Sequence, residues 1–349
     1  MSFTLLPEWA TQDAVMLTWP HQNTDWADIL PQVEPVYIAL CQQISQVEKV
    51  VIVAHNAELK AHIEQKLTAA DVDMTQIVFV VAPCNDTWAR DHGPLTTQDA
   101  SGRLSVKDFT FNGWGNKFAA ELDNQINAHL HAQVVNPQNH YEAIELVLEG
   151  GGIEIDEAGT LLTTSECLLN PNRNPHLTKT ELEQKLSEVL GAKQFLWVDH
   201  GFLAGDDTDS HIDTLVRFAP NNTLVYVSCD DPKDEHFAAL SAMETQLKSF
   251  RTPQGQPYSL VALPWPKAIF NDEGDRLPAT YANYLIINDT VLMPLYGDDN
   301  DARALTQLQS AHPERTVIGI DCLPIIHQFG SLHCITMQLP AGFLKQDQF

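Results

Sequence analysis

Gly330-Ser331-Leu332-His333-Cys334-Ile335-Thr336-Met337 is the stretch on which the reading of this chain turns. A Gly-Ser bend leads into what reads as an alternating apolar strand beginning at Cys334. A thiol at a strand tip is available as a nucleophile if something lowers its pKa from about 8.5. On its own, Cys334 reads as a small buried hydrophobe. The same passage from polar loop into strand recurs near Asp91, Glu149, His211 and Tyr281, and the five junctions lie 58, 62, 70 and 53 residues apart.

Between the junctions the pattern repeats. Lys49–Ala54 is a buried strand, helix 57–70 follows, and Ile77–Val81 is the next strand. Val33, Val36, Tyr37, Leu40 and Ile44 give residues 31–48 helical spacing, with Pro31 suited to a first turn. Ala14–Trp19, before Pro20, is a strand, and further helices are expected at about 118–131, 178–190, 233–249 and 300–311. Strands are expected around 133–136, at 145–155, 160–163, 193–198, 211–218, 223–227, 258–263, 281–287, 290–293 and 316–320. Irregular self-similarity, with five units of about 70 residues, predicts a closed radial array over residues 1–349, a single domain. A doubly wound parallel sheet competes, but the repeated hairpins argue against it.

Composition narrows the class. With 44% hydrophobic residues the chain can build a large core. No apolar run reaches the eighteen or so residues that a membrane span needs, and no secretory signal is visible at the start, so a cytoplasmic protein without membrane partners is expected. Lys and Arg number 20 against 46 Asp and Glu, a net charge of -26. Such a surface repels nucleic acid and draws small cations toward a cleft. The six cysteines form no C-x-x-C pair, and Cys41 and Cys229 look structural.

The junctions present Asp91, Glu149, His211, Asp213 and Cys334. His211 and Asp213, two apart on an expected strand, would share a face. Carboxylates, a thiol and an imidazole together could hold a planar cation, attack its carbon and move its protons. Singly, each has a plainer reading: Asp91 a turn residue, Glu149-Gly150-Gly151-Gly152 a bulge with positive φ, His211 a core imidazole. Asp206-Asp207-Thr208-Asp209 is a solvated loop, or a set of hard oxygen ligands for a metal.

Trp88–Pro94, Glu149-Gly150-Gly151, Glu166–Pro175, Asp206–Asp213 and His333–Thr336, together with Leu6–Trp9 and Thr18–Pro20, resemble the agmatine deiminase family. That family is grouped with Porphyromonas-type peptidylarginine deiminases in the guanidine-modifying, or pentein, superfamily. The resemblance implies a five-bladed pseudo-five-fold α/β propeller, the pentein fold. It also implies hydrolysis of agmatine to N-carbamoylputrescine and ammonia through a covalent amidino-cysteine, a step in polyamine and putrescine biosynthesis. Under it, Cys334 is the nucleophile, Asp91 and Asp213 clamp the guanidinium, His211 is general acid and base, and Glu149 orients His211. Trp88, Trp114 and Asp206 join Asp91 and Asp213 in contacting substrate. The cationic substrate and a protonated His211 would stabilise the thiolate, while Asp91 and Asp213 oppose its ionisation in the empty site. No metal or organic cofactor is implied, and a homodimer is left open. The alternatives are a deiminase of peptidylarginine or another arginine derivative, a non-catalytic propeller that binds a partner, and a metal hydrolase using Asp206, Asp207 and nearby His residues.

Overall fold

The computed structural model describes residues 3–348 as an α/β fold. Its strands form five sheets built on one plan. A short antiparallel pair comes first, and a helical crossover then returns the chain to a parallel partner, the connection that parallel strands require. Leu95–Asp99 pairs antiparallel with Leu104–Thr110, helix Ile126–Gln133 crosses over, and His140–Val147 adds in parallel. Ile153–Ile155, Thr160–Thr164 and Gln194–Val198 repeat this around helix Lys179–Leu190. Val216–Ala219, Thr223–Val227 and Ser259–Leu263 repeat it around Phe237–Ser249. Leu285–Ile286, Thr290–Leu295 and Thr316–Asp321 do so around Asp301–Ala311.

The remaining sheet joins distant ends of the sequence. Thr336–Pro340 pairs antiparallel with Gln12–Thr18, beside which Lys49–Ala54 and Ile77–Val81 run parallel. Every residue of Lys49–Ala54 is buried, as a strand with both faces covered should be. Phe3–Leu5 caps the edge of the sheet that begins at Leu95.

Local chemistry explains the helix limits. Thr178 and Glu181 form a reciprocal capping box, and Gly191 at φ 70 ends the same helix in the left-handed conformation. Asn56 caps Ala57–Ala69 through the backbone N–H of Leu59.

Several elements differ from the sequence expectations. Residues 133–136 form no strand; the partner of Leu104–Thr110 is His140–Val147 instead, only one of whose residues is buried. That strand and Leu95–Asp99 are too polar to show an apolar pattern. The helix expected at 118–131 runs Ile126–Gln133. His211 immediately precedes, and Asp213 lies on, a 3₁₀ turn, Ile212–Thr214, rather than a strand, and the Thr214 hydroxyl donates back to the His211 carbonyl at 2.8 Å. Cys334 lies just before its strand, which begins at Thr336.

Candidate active site

Loops that precede or follow the strands of several sheets line one cavity of about 130 Å³. Asp91 reaches it from the short helix Ala89–His92, and His211 and Asp213 come from the 3₁₀ turn. Cys334, Trp88, Trp114 and Asp206 also line its walls. Glu149 does not line the cavity. It lies behind His211, Oε2 4.0 Å from Nε2, where Arg173 Nε donates to its Oε1 at 3.1 Å.

Each carboxylate of the facing pair is held by fixed donors. Asp91 Oδ1 accepts from the backbone N–H of Gly151 and Oδ2 from the indole of Trp114, both at 3.0 Å. Trp114 does so from a left-handed backbone, φ 55, which is rare for a bulky residue and marks a constrained position. Asp213 Oδ2 accepts from His333 Nδ1 at 2.7 Å and Asn283 Nδ2 at 3.3 Å, while its Oδ1 is buried without a hydrogen-bond partner. Cys334 Sγ lies 4.0 Å from Asp213 Oδ2 and 3.3 Å from Asn283 Oδ1. His211 Nδ1 is 3.6 Å from Asp91 Oδ1, and its Nε2 is also buried without a hydrogen-bond partner.

Gly151 allows this crowding. A Cβ there would stand 2.6 Å from His211 Nδ1 and 2.8 Å from Asp91 Oδ1. Gly150–Gly152 form a 3₁₀ turn without positive φ, so close approach, not the backbone freedom expected of a bulge, explains this glycine.

Burial, and then the charges of Asp213 and Glu149, push Asp91 well above the ordinary carboxylate range. Burial works the same way on Asp213, but the hydrogen bond and charge of His333 outweigh it and hold this acid below that range. Burial and the two acids raise the Cys334 thiol. Burial lowers His211 to about 3, so the imidazole is neutral in the empty site.

A family model described as Porphyromonas-type peptidyl-arginine deiminase matches residues 4–340. The chain belongs to that family. Among solved structures, one from Porphyromonas gingivalis, provisionally described as an arginine deiminase, is 48% identical, with a TM-score of 0.92 over 99% of this chain and 100% of its own. A C. jejuni agmatine deiminase, a cysteine-to-serine variant with substrate bound, is 38% identical, with a TM-score of 0.90 over 98% and 97%. A Vibrio parahaemolyticus protein provisionally named an agmatine deiminase is 34% identical over 94% of each chain.

In this member of the deiminase family, residues outside the expected set also shape the site. Asn283 accepts from the backbone N–H of His333 at 2.9 Å as well as facing the thiol. His333, buried under the cavity, places Nε2 2.8 Å from Glu8 Oε1 and 3.0 Å from Arg217 Nη2. Arg217 also pairs with Glu8 and Glu154. His333 stood beside the nucleophile in sequence and Arg173 within a quoted motif; Asn283, inside an apolar run, carried no signal. Asp206 spends its Oδ2 on the Ser210 N–H at 2.7 Å and its Oδ1 on Thr208. Neither it nor Asp207 joins any potential metal-ligand group among the described residues. Two such groups do adjoin the site, Glu149–Cys167–His211 and Glu8–Glu154–His333, and guanidinium groups already engage their glutamates.

Proposed function

We propose that the protein is an agmatine deiminase, a hydrolase of C–N bonds in linear amidines, and that its five sheets form one closed five-bladed catalytic domain. The lining of the cavity carries the choice of substrate. Beyond Asp91 and Asp213, it presents Asp25, Asp86, Asp206 and Asp207, and no Lys or Arg lines it among the described residues. Agmatine ends in an ammonium group, which such a wall attracts, whereas the carboxylate of free arginine would meet like charge.

The chemistry follows from the charges. Asp213 and Asp91 grip the planar guanidinium, Asp91 losing its proton as the cation arrives. This places the central carbon against Cys334, whose thiol proton passes to neutral His211 as sulfur bonds to carbon. The imidazolium returns that proton to the departing nitrogen, the C–N bond breaks, and ammonia leaves an amidino-thioether cation on sulfur. His211 then deprotonates water, whose oxygen bonds to the carbon as the C–S bond breaks. The thiol is restored, a neutral ureido product leaves, and the net proton converts ammonia to ammonium. Glu149, held by Arg173, orients His211 from behind.

Purified protein incubated with agmatine is expected to yield ammonia and N-carbamoylputrescine in equal amounts. Cys334→Ser is expected to bind agmatine without turning it over, and mass spectrometry of quenched parent enzyme to show an amidino adduct on Cys334. Faster turnover of free or peptide-linked arginine would favour the reading that the P. gingivalis relative suggests. The site is proposed to work in the cytoplasm; no helix among the described residues is long and apolar enough to cross a membrane. Assembly as a homodimer is to be tested by sedimentation.

A further inference from the structure

A second cluster of reactive side chains stands apart from the deiminase cavity. His21, His55 and Cys84 follow the C-terminal ends of Gln12–Thr18, Lys49–Ala54 and Ile77–Val81, three parallel neighbours in one sheet. Cys84 Sγ lies 3.5 Å from His21 Nε2 and 3.8 Å from His55 Nδ1. The two rings face each other with centroids 4.1 Å apart, and one potential ligand atom from each of the three residues lies within 4.8 Å of the others. Sulfur and nitrogen ligands of tetrahedral zinc, at about 2.3 and 2.0–2.1 Å from the metal, stand about 3.5 Å from each other.

We propose that His21, His55 and Cys84 bind one borderline-soft divalent metal ion, with Zn²⁺ the best match to two imidazoles and a thiolate. The fourth position opens toward an adjoining cavity of about 290 Å³, which both histidines line with Asn23, Glu34, Glu58 and His62. Among the described residues Glu34 is committed to His62 and Lys66, at 2.6 and 3.2 Å.

The proton balance is defined. Burial, and then His55, lower His21 to about 4, so it is neutral near pH 7. Burial and the nearby Asp123 and Asp86 raise the Cys84 thiol, and only a bound cation would ionise it. Loading moves the His21 proton from Nε2 to Nδ1, which gives up the Asn23 N–H at 3.3 Å, and frees His55 Nδ1 from the Cys84 N–H at 3.1 Å. The thiol proton leaves to solvent when the ion binds.

Two residues beyond Cys84, Asp86 accepts from the indoles of Trp26 at 2.8 Å and Trp88 at 2.9 Å, and Trp88 walls the substrate cavity.

Full-length protein stripped of metal, in a Cys334→Ser background that removes the deiminase thiol, is titrated with Zn²⁺ and separately with Co²⁺. One ion per chain is expected, with a thiolate-to-cobalt charge-transfer band and, by calorimetry in two buffers, one proton released. Cys84→Ser should abolish the band, and His55→Ala, at a half-buried position, should weaken affinity at least tenfold. Absence of the band in the parent, its survival in Cys84→Ser, or unchanged affinity in His55→Ala would overturn the assignment. Deiminase assays with Cys334 intact read the separate proposal and do not bear on this one.

Discussion

Asp91 and Asp213 carry the same carboxyl group into one cavity and are driven to opposite sides of its ordinary range. Such divergence separates roles. Under the proposed mechanism, Asp213 is the standing anion that receives the cation, and Asp91, pushed the other way, is the acid that gives up a proton on binding. Substrate binding should therefore release a proton, and KM should fall as pH rises toward the elevated Asp91 value; calorimetry in buffers of different ionisation enthalpy checks this, and zero net release would refute it. His333 is the residue that makes the difference, through its 2.7 Å bond to Asp213. Removing that donor in His333→Ala raises Asp213, so the acidic limb of the kcat/KM profile should move to higher pH and neutral activity should drop roughly a hundredfold. His333→Asn, which keeps a donor near the same place, should recover part of it. A profile in His333→Ala that overlays the parent would show the bond to be merely structural. The acids, thiol and imidazole were legible in the sequence because their chemistry marks them. Their protonation states were not, since burial and third-party hydrogen bonds set those.

At the scale of the element, the glycine turn Gly150–Gly152 fixes how closely the site can assemble. In Gly151→Ala the new methyl would push against His211 and Asp91 without straining a backbone of negative φ. The expected result is a loss of roughly a hundredfold in kcat, since small misplacements of reacting groups are that costly, with the melting temperature nearly unchanged. A mutant with parental kcat would contradict the geometry. Gly330 plays a related part, for a Cβ there would lie 2.0 Å from the Trp88 ring. Long amphipathic helices such as Lys179–Leu190 could be read from spacing and caps. Leu95–Asp99 and His140–Val147 could not, because threonines, glutamates and a histidine conceal them. The turn bearing His211 and Asp213 was misread as strand because its residues are buried and apolar-flanked; a hydroxyl-to-carbonyl bond spans it.

For the whole molecule, repetition of junction, hairpin and helix was visible along the chain, and the five-sheet plan follows from it. What no window of sequence could reveal is how remote segments are fastened. Arg217 joins Glu8 to Glu154 and donates to the carbonyls of Ala282 and Tyr284 at 3.1 and 2.7 Å, entirely buried. Arg217→Met leaves Glu154 without its guanidinium, Glu8 with Arg90 alone of its two, and two carbonyls without that donor, and should cost about 3–5 kcal/mol in urea unfolding; a loss below about 1 kcal/mol would mean that the network is dispensable. The strand after Cys334 has a further consequence. Thr336–Pro340 zips onto Gln12–Thr18, made more than 300 residues earlier, so during translation that early edge stays bare until the ribosome has nearly finished. Chains abandoned between residues 213 and 334 carry both acids but lack Cys334, so synthesis itself keeps incomplete copies without the nucleophile.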